Sequence, residues 1–135
     1  MKLQKVVYEL FESDYASIAG NENAKVHEID GEVRLVFDGG KTVFVSWADK
    51  PVQYCVGFQQ RSWNDSEPEM RIAASEWKMW APCVGQAVEL IFLDKERQVL
   101  EVRSPEGSVF FCSMEEDDYY QDVLHITSEK PSVTR

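Results

Sequence analysis

The sequence lacks a long hydrophobic run. No apolar stretch approaches the roughly 20 residues that cross a bilayer as a helix. The first residues, MKLQKVVYELFESDY, carry Glu9, Glu12 and Asp14, which interrupt the apolar segment that a signal peptide needs. The sequence therefore predicts no membrane association, no signal peptide and a cytoplasmic location.

Cysteine is scarce, and the spacing of the cysteines is not that of a metal site. The three cysteines, Cys55, Cys83 and Cys112, are far apart, odd in number and without a CxxC pair. This pattern argues against a disulfide framework and against a structural zinc site. We expect each to pack as a small apolar side chain, and we expect no metal and no cofactor.

Clusters of basic residues are also missing. The chain has 14 Lys and Arg against 24 Asp and Glu, a formal net charge of −10. Binding a phosphate backbone requires grouped Lys and Arg, whereas the basic residues here are isolated and close to acids. Nucleic acid and anionic membranes are therefore poor partners. A basic protein surface is a suitable one, because complementary charge speeds encounter.

Motifs that carry chemistry are absent too. There is no Gly-rich phosphate loop and no strand–turn–helix nucleophile motif. His27 and His125 could in principle pair with a cysteine as base and nucleophile, but no local pattern supports this. The contiguous acids at 115–118 lack the glycine and the ligand spacing of a calcium loop. The sequence therefore predicts a protein that is not an enzyme.

The length of 135 residues predicts a single domain over 1–135. Its first segment has apolar residues near helical spacing, which predicts an amphipathic helix over about residues 3–19. Gly20 suits the end of that helix, although the β-branched pair Val6-Val7 disfavours it. The apolar positions are Leu3, Val6, Val7, Leu10, Phe11 and Ile18.

The segment GEVRLVFDGGKTVFVSW gives the strongest local signal, two β-rich runs that flank Asp38-Gly39-Gly40. A two-residue turn at Gly39-Gly40 would mix apolar and polar side chains on both faces. A three-residue loop separates the apolar from the polar side chains onto different faces of the hairpin. A buried apolar face then fixes the register of the two strands. We therefore predict the three-residue loop, with Gly40 in the left-handed conformation. The resulting cross-strand pairs are Val33–Val45 and Leu35–Val43.

Residues 67–81 allow two interpretations. Ser66 and Glu69 have capping-box spacing, which favours one helix that ends at Pro82. Alternatively, a short strand covers Met70, Ile72 and Ala74, and a helical turn follows from Ser75; this strand would pair with the preceding one.

Further strands are predicted at about 52–58, 86–93, 98–104 and 108–114, with a last one in DVLHIT. The predicted fold is α+β, with a β-rich body over about 26–127 and a frayed tail at 128–135. Its core is a strongly curved antiparallel sheet of about six or seven strands, a meander or half-barrel, packed with one or two helices.

Two stretches are candidate contacts for a partner. In the segment MEEDDYYQD, the acids supply charge that steers a partner and hydrogen bonds to its Lys or Arg side chains. The tyrosines supply a large and rigid contact area. In a polar loop, Trp63 lies near further acids. Simpler alternatives are a solvated linker and a tryptophan that covers a sheet edge. The candidate residues are Glu115, Glu116, Asp117, Asp118, Tyr119, Tyr120, Asp122, Trp63, Asp65 and Glu67.

The layout resembles that of small acidic bacterial toxin-immunity proteins. The resemblance covers LVFDGGKTVFVSW, then SEWKMWAPCVGQAVELIFL, then EEDDYYQDVLHIT. It implies a protein that inhibits a cognate basic toxin or effector domain by occluding its active site.

Two alternative functions remain open. One is a small-molecule-binding β-rich module, with a pocket lined by Trp47, Trp77, Trp80 and Phe111. The other is a hydrolase with a Cys–His or a carboxylate site.

Overall fold

The computed structural model describes residues 1–48, 55–64, 67–113, 115–116, 119–120 and 124–131, with the backbone alone at 115–116 and 119–120. The first half contains β1 (Leu3–Leu10), α1 (Glu12–Ile18), β2 (Val26–Ile29), β3 (Glu32–Phe37), β4 (Thr42–Ala48), β5 (Cys55–Gln59) and β6 (Met70–Ala73). The second half contains β7 (Glu89–Phe92), β8 (Val99–Ser104), β9 (Gly107–Cys112), β10 (Glu115–Glu116), β11 (Tyr119–Tyr120) and β12 (Leu124–Thr127).

Over the described residues, these strands form two five-stranded antiparallel sheets and one two-stranded sheet. The first sheet has the order β5-β4-β3-β1-β6, the second β2-β12-β9-β8-β7, and β10 pairs with β11. Both large sheets are open and contribute to one core, with Val33 and Leu35 from the first and Val102 and Phe111 from the second. The α+β class is confirmed. The predicted single half-barrel of six or seven strands is wrong, because the apolar strands divide between two sheets.

The hairpin prediction is confirmed. Val33 pairs with Val45 and Leu35 with Val43 across β3 and β4. The loop spans Asp38–Gly40, and its two glycines have φ of 78° and 81°, the left-handed region that favours glycine.

The predicted helix over 3–19 is wrong in its first half, where β1 forms. A register shift between Leu3 and Lys5 marks a bulge in the pairing of β1 with β3. The bulge adds a residue, so Leu3 and Val6 both lie buried although they are three apart. A spacing of three residues between buried positions is also typical of one face of an α-helix. Only residues 12–18 are helical among those described in this segment.

Of the two interpretations for 67–81, the structure shows the strand followed by tight turns. β6 is the strand, but it pairs with β1 and not with the preceding β5. The turns begin with Trp77 N–H donating to Ala74 O at 3.1 Å, and they bury Trp80 completely.

The predicted meander is confirmed as β7-β8-β9, and β12 confirms the last strand. β12 lies between β9 and β2. The third strand is described from Cys55 onward; residues 51–54, like the tail from 132, lie outside the described residues.

A buried carboxylate fixes the connection between the two sheets. Asp14, only 6% exposed, accepts hydrogen bonds from Asp30 N–H at 2.7 Å and Gly31 N–H at 2.9 Å. It also accepts one from Phe11 N–H at 3.2 Å, at the start of α1. Asp14 thereby positions the turn from β2 to β3.

Candidate functional site

A groove of about 570 Å³ lies at the end of the first sheet where β4 finishes and β3 begins. Its walls combine aromatic rings with a carboxylate and short polar side chains. The lining residues are Phe11, Asp30, Ser46, Trp47, Ala48, Trp63 and Asn64.

Glu32 holds the loop that carries Trp63. This carboxylate is 1% exposed and accepts a hydrogen bond from Trp63 N–H at 2.9 Å. It also accepts one from the Ser62 hydroxyl. A buried carboxylate requires such donors, because its desolvation is costly. Glu32 therefore fixes the loop backbone against the sheet.

The indole of Trp63 is held as firmly as its backbone. Its Nε1–H donates to Phe44 O at 2.9 Å. The ring lies directly on Gly57, where a Cβ would come within 2.8 Å of the indole. Trp63 therefore covers part of the sheet, as the simpler alternative expected, and also lines the groove.

Asp30 supplies negative charge to the groove. Trp47 Nε1–H donates to Asp30 Oδ1 at 3.1 Å, which keeps the carboxylate beside an aromatic wall. Aromatic faces and a carboxylate together attract a cationic side chain.

Glu67, a predicted contact, belongs to an ion-pair network outside the groove lining. Its carboxylate lies 2.7 Å from Arg71, while its side chain stays 84% exposed. Arg71 also lies 3.6 Å from Glu9, a buried carboxylate that pairs with Arg34. The charge of Glu67 is therefore offset within the chain. Asp65 lies outside the described residues.

The acidic segment leaves β9 and returns at β12. Its backbone forms the ladder of Glu115–Glu116 with Tyr119–Tyr120, while Asp117, Asp118 and Asp122 lie outside the described residues. β12 begins at Leu124, which pairs with Ile29, the neighbour of Asp30. Leu124, where the described chain resumes after the acidic segment, is therefore close to the groove.

His27 is buried in a hydrogen-bonded cluster. Tyr8 OH lies 2.8 Å from His27 Nδ1 and accepts a hydrogen bond from Trp80 Nε1–H at 3.0 Å. His27 Nε2 faces the backbone oxygens of Asn21 and Glu22, both at 3.1 Å. Two acceptors at Nε2 place the proton there, so Tyr8 donates to Nδ1. The imidazole is neutral and structural.

His125 has a cysteine as its cross-strand neighbour. It pairs with Cys112 in the ladder of β12 and β9, and its Nε2 lies 3.7 Å from Glu28. Burial, with a smaller effect from the Asp94 carboxylate, raises the pKa of Cys112 to about 12. Since the thiolate is the nucleophilic form, burial disfavours the reactive form of this thiol.

No family model, curated protein or solved structure matches the chain. In the part of the chain that the structure describes, no three His, Cys, Asp or Glu side chains group as metal ligands. Within the same part, no helix has the length and hydrophobicity to cross a membrane.

Sequence reasoning missed Asp30 and Phe11 as groove residues, and it missed Glu32 as the residue that holds Trp63; it placed Trp47 in a different pocket. Glu32 is 31 residues from Trp63, and neither lies in a pattern that signals the other. The acids near Trp63 in sequence drew attention to Asp65 and Glu67 instead. The only local signal was Trp63 itself, a large aromatic in a polar loop.

Acidification should destabilise the protein through His27. Burial lowers the pKa of His27, against the raising effects of the Asn21 and Glu22 backbone oxygens and the Glu22 charge. The unfolded chain then binds the proton more readily than the folded protein does. The contribution of neutral His27 to stability is therefore complete above the ordinary pKa of about 6.5, and it is lost as pH falls through the pKa of His27 in the folded protein. The free energy of unfolding should fall by at most about 1.4 kcal/mol per pH unit in that window.

Urea unfolding between pH 5.5 and 7.5 measures this slope, with His27→Gln as the comparison and His125→Gln as the matched control. An unchanged slope in His27→Gln would contradict the assignment.

Proposed function

We propose that the chain is a non-catalytic acidic binding protein, an immunity protein that inhibits a cognate basic toxin or effector domain by occluding its active site. The observation that carries this is the groove that Trp63, Trp47, Phe11 and Asp30 line together. A cationic side chain of the partner enters this groove.

Preorganisation supports this role for Trp63. Glu32 fixes its backbone and Phe44 O its indole, so little side-chain freedom is lost on binding. Tryptophan is enriched among the residues that dominate binding energy, and a cation on its face gains about 0.5–2 kcal/mol.

The acidic segment supports a cationic partner by a different effect. Residues 115–135 carry two basic and six acidic groups, the highest density of acids in the chain. Charge at the rim of an interface mainly raises the association rate. The segment therefore guides the partner, and the groove holds it.

The alternative of a Cys–His hydrolase has less support. It needs a thiolate beside an imidazole, and burial keeps the Cys112 thiol protonated beside His125. His27 points both ring nitrogens at the groups that hold it.

Co-expression with the product of the adjacent gene tests the proposal. We expect a basic protein to co-purify with this chain and its toxicity to disappear. A neighbouring protein that neither binds nor becomes less toxic in the presence of this chain would overturn it.

Trp63→Ala should weaken binding by about thirty-fold or more, a loss typical of a central aromatic contact. Phe58→Ala is the matched control, since Phe58 is also an aromatic of the β5 region and is 39% exposed. Surface plasmon resonance on folded variants measures both. Equal affinities of the two variants would place the contact elsewhere.

Replacing the four acids at 115–118 with serine should slow association about ten-fold at low salt and flatten its salt dependence. A second variant makes the same charge change at scattered exposed acids outside that stretch: Glu12, Glu76, Glu89 and Glu106. If both variants slow association equally, the overall charge steers the partner and the segment has no special part.

A further inference from the structure

A second groove, of about 470 Å³, opens between the edges of the two large sheets. β5 is an edge strand of the first sheet and β7 an edge strand of the second. Its walls are mainly apolar: Phe37, Val43, Phe58, Val88 and Leu90. It shares no lining residue with the groove at Trp63.

An aromatic contact joins the two sheets beside this groove. Phe58 stacks on Phe92 with 5.7 Å between ring centroids, so an edge aromatic of one sheet contacts an edge aromatic of the other. Phe58 nevertheless remains 39% exposed. The volume of the groove lies within the range of about 300–1,000 Å³ typical of small-molecule sites.

The pocket predicted from sequence is not this one. Trp80 and Phe111, expected to line it, are completely buried in the core and pack against each other at 5.8 Å. Trp47 lines the other groove.

Charge at this groove is opposite to that of the whole chain. Lys41 lines it, together with Gln59 and Gln60. Among the described residues, Lys41 takes part in none of the ion pairs. A cation and two amides beside an apolar cleft match an anionic head group with an alkyl tail.

We propose that this groove binds a small anionic amphiphile, of the class of medium-chain fatty acids. The alkyl chain lies among Phe37, Val43, Val88 and Leu90, and the carboxylate meets Lys41. The proposal is independent of the partner protein, so either can fail without the other.

Isothermal titration with decanoate, octanoate and decyltrimethylammonium below micellar concentrations is the first test. Decanoate should bind saturably at one site, up to about fifteen-fold tighter than octanoate, because each buried methylene tightens binding about four-fold. Decyltrimethylammonium should bind more weakly than decanoate, although the net charge of −10 favours the cation. Stronger binding of the cation, or no saturable binding, would overturn the proposal.

Two variant pairs locate the site. Leu90→Trp fills the groove and should abolish decanoate binding, whereas Ile91→Trp, on the opposite face of β7, should leave it intact. Lys41→Gln should weaken decanoate about three-fold, as expected for an exposed ion pair, and Lys5→Gln, on the outer face of β1, should not. Decanoate binding that survives Leu90→Trp would refute the site.

Sedimentation of the same variants tests another occupant. If the protein self-associates and Leu90→Trp alone separates the copies, while decanoate does not compete, the groove is an interface between copies and the proposal is wrong.

Discussion

Gly31→Ala is expected to lower the free energy of unfolding by about 4 kcal/mol or more, at the upper end of single-substitution effects. A Cβ at this position would lie 2.2 Å from Glu9 O and 3.2 Å from Leu10 Cα, both backbone atoms of β1. Neither can rotate away as a side chain would. Moving the turn instead would break the hydrogen bond from Gly31 N–H to Asp14.

Gly20→Ala is the matched control. Gly20 has φ of +81°, and no atom lies within 4 Å of the place that the new methyl group would occupy, so the substitution carries only the conformational cost of about 1–3 kcal/mol. Urea unfolding compares the two, and circular dichroism shows whether Gly31→Ala folds at all. A Gly31→Ala protein no less stable than Gly20→Ala would show that the turn can relax away from β1.

Tyr8→Phe is expected to lower the free energy of unfolding by about 3 kcal/mol. The hydroxyl accepts from Trp80 and donates to His27, so its removal leaves two buried polar groups without a partner. Each costs about 1–3 kcal/mol. The ring itself is fully buried and unchanged in shape, so the loss reports hydrogen bonding.

Tyr15→Phe makes the same chemical change on an exposed side chain of α1, 38% accessible, and should change stability little. Thermal and urea unfolding of both variants at pH 7.5 give the comparison. If the two losses are equal, the cluster around Tyr8 admits water and the hydroxyl is not essential.

The hairpin of β3 and β4 was predictable because its information is local. A loop of three residues and a buried face that contains Val33, Leu35 and Val43 allow one register. The meander β7-β8-β9 follows the same logic, since each strand pairs with the next in sequence.

β1 was not predictable from its pattern. The bulge near Leu3 shifts the phase of the side chains, and its partners β3 and β6 lie far along the chain. Tyr8 and Trp80 are 72 residues apart, and no local signal joins them.

The candidate site was predictable only in part. Trp63 stood out as an aromatic in a polar loop, but Glu32, which holds it, is a buried acid within a strand. Charged residues in strands normally face solvent, so sequence gives no reason to select this one. The part of the acidic segment in binding stays a prediction.

The described chain resumes after the acidic segment at Leu124, which lies close to the groove. Ile29 is the cross-strand partner of Leu124, and Asp30 lines the groove. Adjacent residues in extended backbone are only about 3.3 Å apart, while an ordinary protein contact covers about 800 Å² on each side. Under the proposed function, a partner domain of normal footprint would therefore cover the groove and Leu124 together.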